Sequence, residues 1–349
     1  MFSTTHLIDL ALAQLWQVTL VVAFIGLVHR LLADRAPRLM SLLWSVVAIK
    51  AVTPPLLESP LGIFSWVQAA GARPIPGDSS ITVLSVSPSE GWLHALMLAL
   101  LVIWLSGTCV LAVTFAVKLA QLERSFRRDA IAPDHDLNTR VRELAEQHNL
   151  PKPRRVVVSE DDLGPAVAGI LNPTLIIPRS LVATGEESAL EPVILHELVH
   201  TARRDAGHAL LMASVRIVWW FHPAVWWAAR QADTLVERCV DLTVTRDLQT
   251  GLTSYARGLL RVLELRARLQ ETPALSGLRP CQITTERLEY LRSADPQRRG
   301  RGFGRWARAT FVAAFAIVVL PGLPLGVLAP TCDPAPCLTT APVETVAQR

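Results

Sequence analysis

A chain of 349 residues that is 51% hydrophobic and only 18% charged falls short of the roughly one quarter of charged residues in ordinary soluble domains, which argues against a purely soluble architecture. Its 34 Lys plus Arg exceed its 30 Asp plus Glu by a net +4, and the distribution of those charges says more than their sum. Five cysteines form neither a CxxC pair nor a Cys/His zinc pattern, so neither a zinc ribbon nor a disulfide framework is indicated.

In chain order, residues 1–57 read as two N-terminal transmembrane helices, with apolar runs at 10–32 and 39–57 each near the 20 or so residues that cross a bilayer. Lys50 interrupts the second run and must snorkel to the outer face or pair inside a bundle. No basic residue precedes the first run and no small-residue cleavage site follows it, so it is expected to stay as a helix. Residues 58–91 read as an extracytoplasmic loop, 92–117 as a third span, 309–328 as a fourth and 329–349 as a short extracytoplasmic tail.

The arginines orient these spans, because cytoplasmic loops retain Lys and Arg. Arg30, Arg35 and Arg38 lie in the first short loop, Arg73 alone in the second, and Lys118, Arg124, Arg127 and Arg128 follow the third span. Arg298, Arg299, Arg301, Arg305 and Arg308 precede the fourth. Both termini are therefore expected outside a bacterial cytoplasmic (inner) membrane, with 118–308 as a cytoplasmic domain. The last cluster, interleaved with Phe303 and Trp306, reads as a positive-inside anchor, and no direct nucleic-acid binding is expected.

Within 118–308, Leu137, Val141, Leu144 and His148 recur at helical spacing after Asp136, and Pro151 and Pro153 end that helix. Three β-like pieces follow at 155–159, 165–169 and 174–178, punctuated by Gly164 and by Asn172 with Pro173. Thr184 and Glu187 form a capping box, and Pro192 kinks that helix or opens a new one. The next helix, 193–205, carries His196-Glu197-Leu198-Val199-His200.

Histidines four apart on a helix project from one face and can grip one Zn2+, and a glutamate between them can serve as the base that activates water. A catalytic zinc needs a third protein ligand and one open position. Arg203 and Ala206 stand where a metzincin needs Gly and His, which excludes that class. A later helix can supply a glutamate ligand with an aspartate one turn on, and Glu237 and Asp241 fit within the helix-compatible stretch 228–248. Asp205 can pair with Arg203 and Arg204 or support a ligand. His208 and His222, in apolar surroundings, read as hydrogen-bonded rather than ligating, and Cys239 and Cys281 as small buried hydrophobes.

Residues 206–229 look like a further span, yet a single crossing would put Glu237 across the bilayer from His196 and His200. Two geometries remain: an interfacial segment, or a hairpin that dips into the membrane and breaks near Pro223. The five aromatic rings at 219–227 suit the headgroup region.

With these features the chain resembles the BlaR/MecR-type family of integral-membrane zinc metallopeptidases. The likeness runs from the N-terminal spans through Gly164-Pro165-Ala166-Val167-Ala168-Gly169, Asn172-Pro173, Ile177-Pro178, the motif at 196–200, Arg203-Arg204-Asp205, Trp220-Phe221-His222-Pro223, and Glu237 to Asp241. It implies a gluzincin-type site with His196, His200 and Glu237 on zinc, Glu197 as the base, and Asp241 behind the ligands. It also implies a zincin-like α+β peptidase domain between the third and fourth spans of a mainly α membrane protein. By the same resemblance, the substrate is a cytoplasmic protein such as a winged-helix repressor, cleaved in signal transduction, and a homodimer is allowed. The family's Glu-x-x-Cys-Asp appears here as Glu237-Arg-Cys-Val-Asp241, with the carboxylates in register. No lysine occurs in 329–349, so the C-terminal penicillin-binding sensor, with its Ser-x-x-Lys nucleophile, is not expected, whereas Cys332 and Cys337 can form a small disulfide. The rival readings are a non-enzymatic signalling or scaffold protein with structural zinc, and a membrane quality-control protease.

Overall fold

The computed structural model describes residues 4–53, 61–65, 90–128, 130–131, 133, 135–160, 164–183, 187–248, 250–269 and 304–321, with positions 287, 289 and 291. Thr184 of the expected capping box, Cys281, Arg298 to Arg301, Cys332, Cys337 and most of 58–91 lie outside the described residues.

Helices dominate. α1 (Thr4–Leu32) and α2 (Pro37–Val52) are joined by a short turn, and Pro37 opens α2 where its missing N–H has no intrahelical partner to lose. α3 (Glu90–Arg128) has 39 residues, about 58 Å of helix, so it continues through the charged stretch that hydropathy alone assigns to the next region. Two helical stretches, Leu10–Leu32 and Ala95–Gln121, are long and apolar enough to cross a membrane. α2, with 16 residues, is shorter. The last helix, α10 (Arg305–Val319), is shorter too, with an apolar part of Trp306–Val319.

A small sheet follows α3. β1 (Ala130–Ile131) precedes α4 (His135–Gln147), and β2 (Arg155–Ser159), β3 (Ala166–Ala168) and β4 (Thr174–Pro178) complete the order β1-β2-β4-β3. α4 presents Leu137, Val141 and Leu144 to the core, as its spacing predicts, and Asn149 in the left-handed region (φ 56°) turns the chain beyond it. β2 and β4 pair in parallel with Val157 opposite Ile176. Both are rich in β-branched residues and buried along four of five positions, the pattern of central strands covered on both faces. β3 pairs antiparallel with β4 and lies at the sheet's edge.

After the short α5 (Arg179–Val182), α6 (Glu187–Arg203) runs through Pro192 as one helix, so the expected choice between a kink and a new start resolves as a proline inside a helix. α7 (Asp205–Val218) and α8 (Pro223–Leu242) then form a helical hairpin. The stretch 206–229 is thus two helices that turn back on each other and not one continuous helix. Its break comes at 219–222, ahead of Pro223, which opens α8 instead of interrupting it. The His222 imidazole caps α8 by accepting from the Val225 N–H at 3.4 Å. A π-helical turn, Thr243–Asp247, and α9 (Leu252–Leu269) follow.

Two hydrophobic cores result. One joins α1, α2, α7 and α8 around Trp44, Ile25, Met40, Met212 and Trp219. The other joins α4, the sheet, α6 and α9 around Leu144, Leu175, Ile194, Leu198 and Tyr255. α8 runs between them: Leu235 belongs to the first core and Val240 to the second, so Glu237 sits at the seam.

Polar contacts fix which end of the hairpin lies where. At its base, Arg238 pairs with Asp34 at 3.2 Å, and Arg38 donates to Thr243 Oγ1 at 3.2 Å. Near its tip, Trp219 Nε1 donates to the Ala51 carbonyl at 2.8 Å and Trp104 Nε1 to that of Val218 at 2.8 Å. Gly107 admits Trp220, whose ring would lie 2.7 Å from a Cβ there. Lys50 is fully buried within the bundle, not at its rim: Nζ donates to the Leu320 carbonyl at 3.0 Å and stands 5.2 Å from the Phe64 ring centre.

Candidate metal centre

α6 is amphipathic in an unusual sense, because both of its faces are occupied. Ile194, Leu195, Leu198 and Val199 are at most 1% exposed and anchor the helix in the second core. His196 and Glu197, at 8% and 7% exposure, are buried on the side facing a cavity of about 640 Å³, which Glu237, Tyr255 and Arg287 also line. Gly258 lets α9 lie close against α6, since a Cβ there would come within 2.9 Å of the Ala189 carbonyl oxygen.

His196, His200 and Glu237 form the cluster that can hold a metal ion: one donor atom from each lies within 4.8 Å of the others. The two Nε2 atoms face each other at 3.1 Å. Glu237 Oε2 is 3.6 Å from Nε2 of His196, and Oε1 is 3.7 Å from Nε2 of His200. His208, His222 and Cys239 stay outside the cluster, so among the described residues it has three protein donors.

The tautomers test whether an ion fits. His200 Nδ1 donates to Asp205 Oδ2 at 2.8 Å. Tyr255 donates its phenolic proton to Asp241 Oδ1, which leaves its oxygen to accept from His196 Nδ1 at 2.8 Å. With both Nδ1 atoms acting as donors, two imidazole lone pairs oppose each other beside a carboxylate, which is repulsive unless a cation lies between them. Bonds of about 2.0–2.1 Å to a tetrahedral zinc would place donor atoms roughly 3.3 Å apart, close to the observed separations. Without an ion, a proton plays that part. Burial alone would lower the His200 pKa, but the hydrogen bond to Asp205 and the charges of Glu197, Glu237 and Asp205 override it and raise it to about 9. Glu237 responds in the opposite sense: burial would raise its pKa, yet the His196 hydrogen bond and the Arg287 charge hold it well below the usual carboxylate range.

Residues 8–291 match the family described as BlaR1 peptidase M56. The chain belongs to that family. Similar proteins include the regulatory protein BlaR1 of Bacillus licheniformis, 28% identical over 126 residues, which cover 35% of this chain and 21% of that protein. The methicillin resistance mecR1 protein of Staphylococcus aureus is 23% identical over 150 residues, 43% of this chain and 25% of that one. The matched stretch thus spans 21% to 25% of the length of these relatives.

In this M56 chain the structure adds two residues that the sequence did not single out. Tyr255, 1% exposed, stands between His196 and Asp241, so Asp241 reaches the imidazole through the phenol, its own Oδ1 being 3.6 Å from Nδ1. Burial and the neighbouring Asp241 charge push the Tyr255 pKa up, which keeps the bridging proton in place. Arg287 forks onto Asp241 through Nε at 2.9 Å and Nη2 at 2.6 Å, and Nη1 reaches Glu237 Oε2 at 3.1 Å. Burial would lower the guanidinium pKa, but Asp241 and Glu237 raise it overall. Asp205 is doubly engaged, with His200 and with Arg203 Nε at 3.2 Å.

Proposed function

We propose that this chain is a membrane-embedded zinc endopeptidase of signal transduction, with His196, His200 and Glu237 as zinc ligands and Glu197 as the general base. The observation that carries the reading is the opposed pair of imidazole nitrogens beside Glu237, with both Nδ1 atoms held by partners and no fourth donor among the described residues. A structural zinc would be closed by four protein ligands, whereas three leave room for substrate.

When bound, zinc supplies a Lewis acid that polarises the scissile carbonyl and makes water a nucleophile near neutral pH. Glu197 takes the proton of the attacking water on its carboxylate and passes it to the leaving amine nitrogen. Asp205 and the Tyr255–Asp241 pair hold the two imidazoles in the tautomer that leaves each Nε2 free to ligate. Ala166, Val167 and Gly169 line the same cavity, and β3 is an edge strand, so an extended substrate can add to the sheet there.

Four spans, 10–32, 39–57, 92–117 and 309–328, place both termini outside the bacterial inner membrane in this reading, with the zincin-like domain at 118–308 in the cytoplasm. Support comes from the apolar window of α3, which is wholly unburied: an apolar surface that size belongs against lipid or another chain. The ion pair between Arg238 and Asp34 ties α8 to the turn that carries Arg30, Arg35 and Arg38, which supports a metal centre on the cytoplasmic side if that turn obeys the positive-inside rule. The α7–α8 hairpin re-enters the membrane from that side and returns. The substrate is a cytoplasmic protein such as a winged-helix repressor, and the chain can act as a homodimer.

Purified protein in lipid nanodiscs should bind one zinc per chain by elemental analysis and cleave peptides in a manner abolished by a chelator and restored by added zinc. Zinc bound without any cleavage would support the structural-zinc rival. Indiscriminate digestion of unfolded proteins would support a quality-control protease. Asp205→Asn keeps an oxygen on His200 but removes its charge, and is expected to weaken zinc about 10- to 100-fold in competition with a chromophoric chelator.

A further inference from the structure

The break between α6 and α7 is made by a residue poorly suited to it. Arg204 has φ 59° and ψ 39°, in the left-handed region, where a side chain clashes with its own backbone and Gly or Asn ordinarily stands. The turn itself is sound: the Arg204 N–H donates to the Thr201 carbonyl at 3.2 Å, and the Gly207 N–H donates to that of Arg204 at 3.0 Å. What an arginine adds is its side chain, since it makes no capping hydrogen bond.

That side chain is exposed and lines the cavity shared by His196, Glu197, His200 and Glu237. The other guanidinium groups lining the cavity are committed, Arg216 to Asp233, and Arg287 to Glu237 and Asp241. The adjacent Arg203 is paired with Asp205. Arg204 has no carboxylate partner among the described residues. A strained backbone position thus presents an uncommitted planar cation to the site, the geometry that suits a carboxylate best.

We propose that Arg204 sets the specificity of the cleft by receiving a carboxylate of the substrate chain close to the scissile bond. The proposal rests on the peptidase reading above and narrows it to acidic substrates. The carboxylate can be an Asp or Glu side chain or a free C-terminus, and the same chemistry serves both.

The test uses the zinc-loaded full chain in nanodiscs with peptides carrying Asp, Asn or Lys at each position around the cleaved bond, each made as the C-terminal acid and as the amide. The expected preference for the carboxylate over its isosteric amide is about 10- to 100-fold in kcat/KM, the range of a charge-assisted hydrogen bond. A preference that follows the Asp position assigns a side chain, and one that follows the free acid assigns a terminus. Arg204→Glu should turn the preference toward Lys. Arg204→Gly should bring the acidic peptide down to the level of its amide with zinc content retained and the melting temperature equal or higher, because glycine suits the left-handed turn. Equal use of acid and amide by the wild type, or the wild-type preference retained in both variants, overturns the proposal. Peptide affinities measured by fluorescence anisotropy on Glu197→Gln, with and without Arg204→Gly, read the same preference without turnover. Absence of the acid preference on Glu197→Gln alone in this binding assay overturns the proposal, whereas a binding preference with no turnover in the zinc-loaded wild type overturns the peptidase reading on which it rests.

Discussion

Glu197→Gln is expected to lower peptide turnover by about 10²- to 10⁴-fold, the usual contribution of a positioned general base, while zinc content stays near one per chain. The substitution is isosteric, and Glu197 is only 7% exposed, so the amide fills the same space against the same helix. What it loses is the ability to accept a proton from the attacking water. The neighbouring His200 feels a smaller effect, because Glu197 is one of several negative groups that stabilise positive charge there, with Asp205 and Glu237 remaining. Zinc affinity should therefore fall far less than turnover. Elemental analysis on the same samples separates the two quantities. Turnover retained in Glu197→Gln would remove this residue from the chemistry, whereas turnover lost together with zinc would mark it as part of the metal's support.

The parts of this site that were legible in the sequence are those carried by one helix at a time. His196 and His200 lie one turn apart on α6, and Glu237 and Asp241 one turn apart on α8, so local periodicity places each pair on one face. Asp205 was legible as a support because it stands five residues beyond His200, just past the helix end. Tyr255 and Arg287 were not. They meet Asp241 from 14 and 46 residues downstream, and no local pattern records a meeting made by packing. A weak signal existed for Tyr255, one of two tyrosines in the chain, on a helix with a strong apolar face. The fold shows the same division. β2 and β4 follow from their β-branched runs, but the two-residue β1 is too short to leave a pattern, and it exists because β2 offers it an edge. Hydropathy ends the third span where charges begin, although the helix continues to Arg128, since a helix needs hydrogen bonds within itself and not a uniform environment. The return of the chain at 206–229 was constrained before its geometry was visible: if His196 and His200 before an apolar stretch and Glu237 after it are to share one metal site, that stretch must return to the side it left.

Arg287→Met is expected to destabilise the chain by about 3–5 kcal/mol, the cost of breaking a buried ion pair and leaving its partner uncompensated. Asp241 is fully buried and receives two of the guanidinium's hydrogen bonds, and a third reaches Glu237. Arg287→Lys should recover only part of the loss, because an ammonium cannot span both carboxylates as the planar fork does. The pH dependence carries a definite sign. In the wild type the Glu237 pKa is held below its ordinary value, so its stabilising share is fully present above the unfolded pKa of about 4.3 and is lost only as pH falls through the folded value. Without Arg287, the burial of Glu237 loses its main opposing charge outside the histidines, its pKa rises, and protonation relieves the variant while the wild type gains nothing. The stability gap between wild type and Arg287→Met should therefore narrow as pH is lowered from 7 to 5, measured by denaturant midpoints of metal-free protein in detergent. A gap that is constant across that range would mean that Arg287 acts through packing of its stem against the second core and not through the charge of the carboxylate pair. A gap that widens would contradict the electrostatic account of the site outright, since no arrangement of these two acids and one base can make acid pH favour the guanidinium's presence.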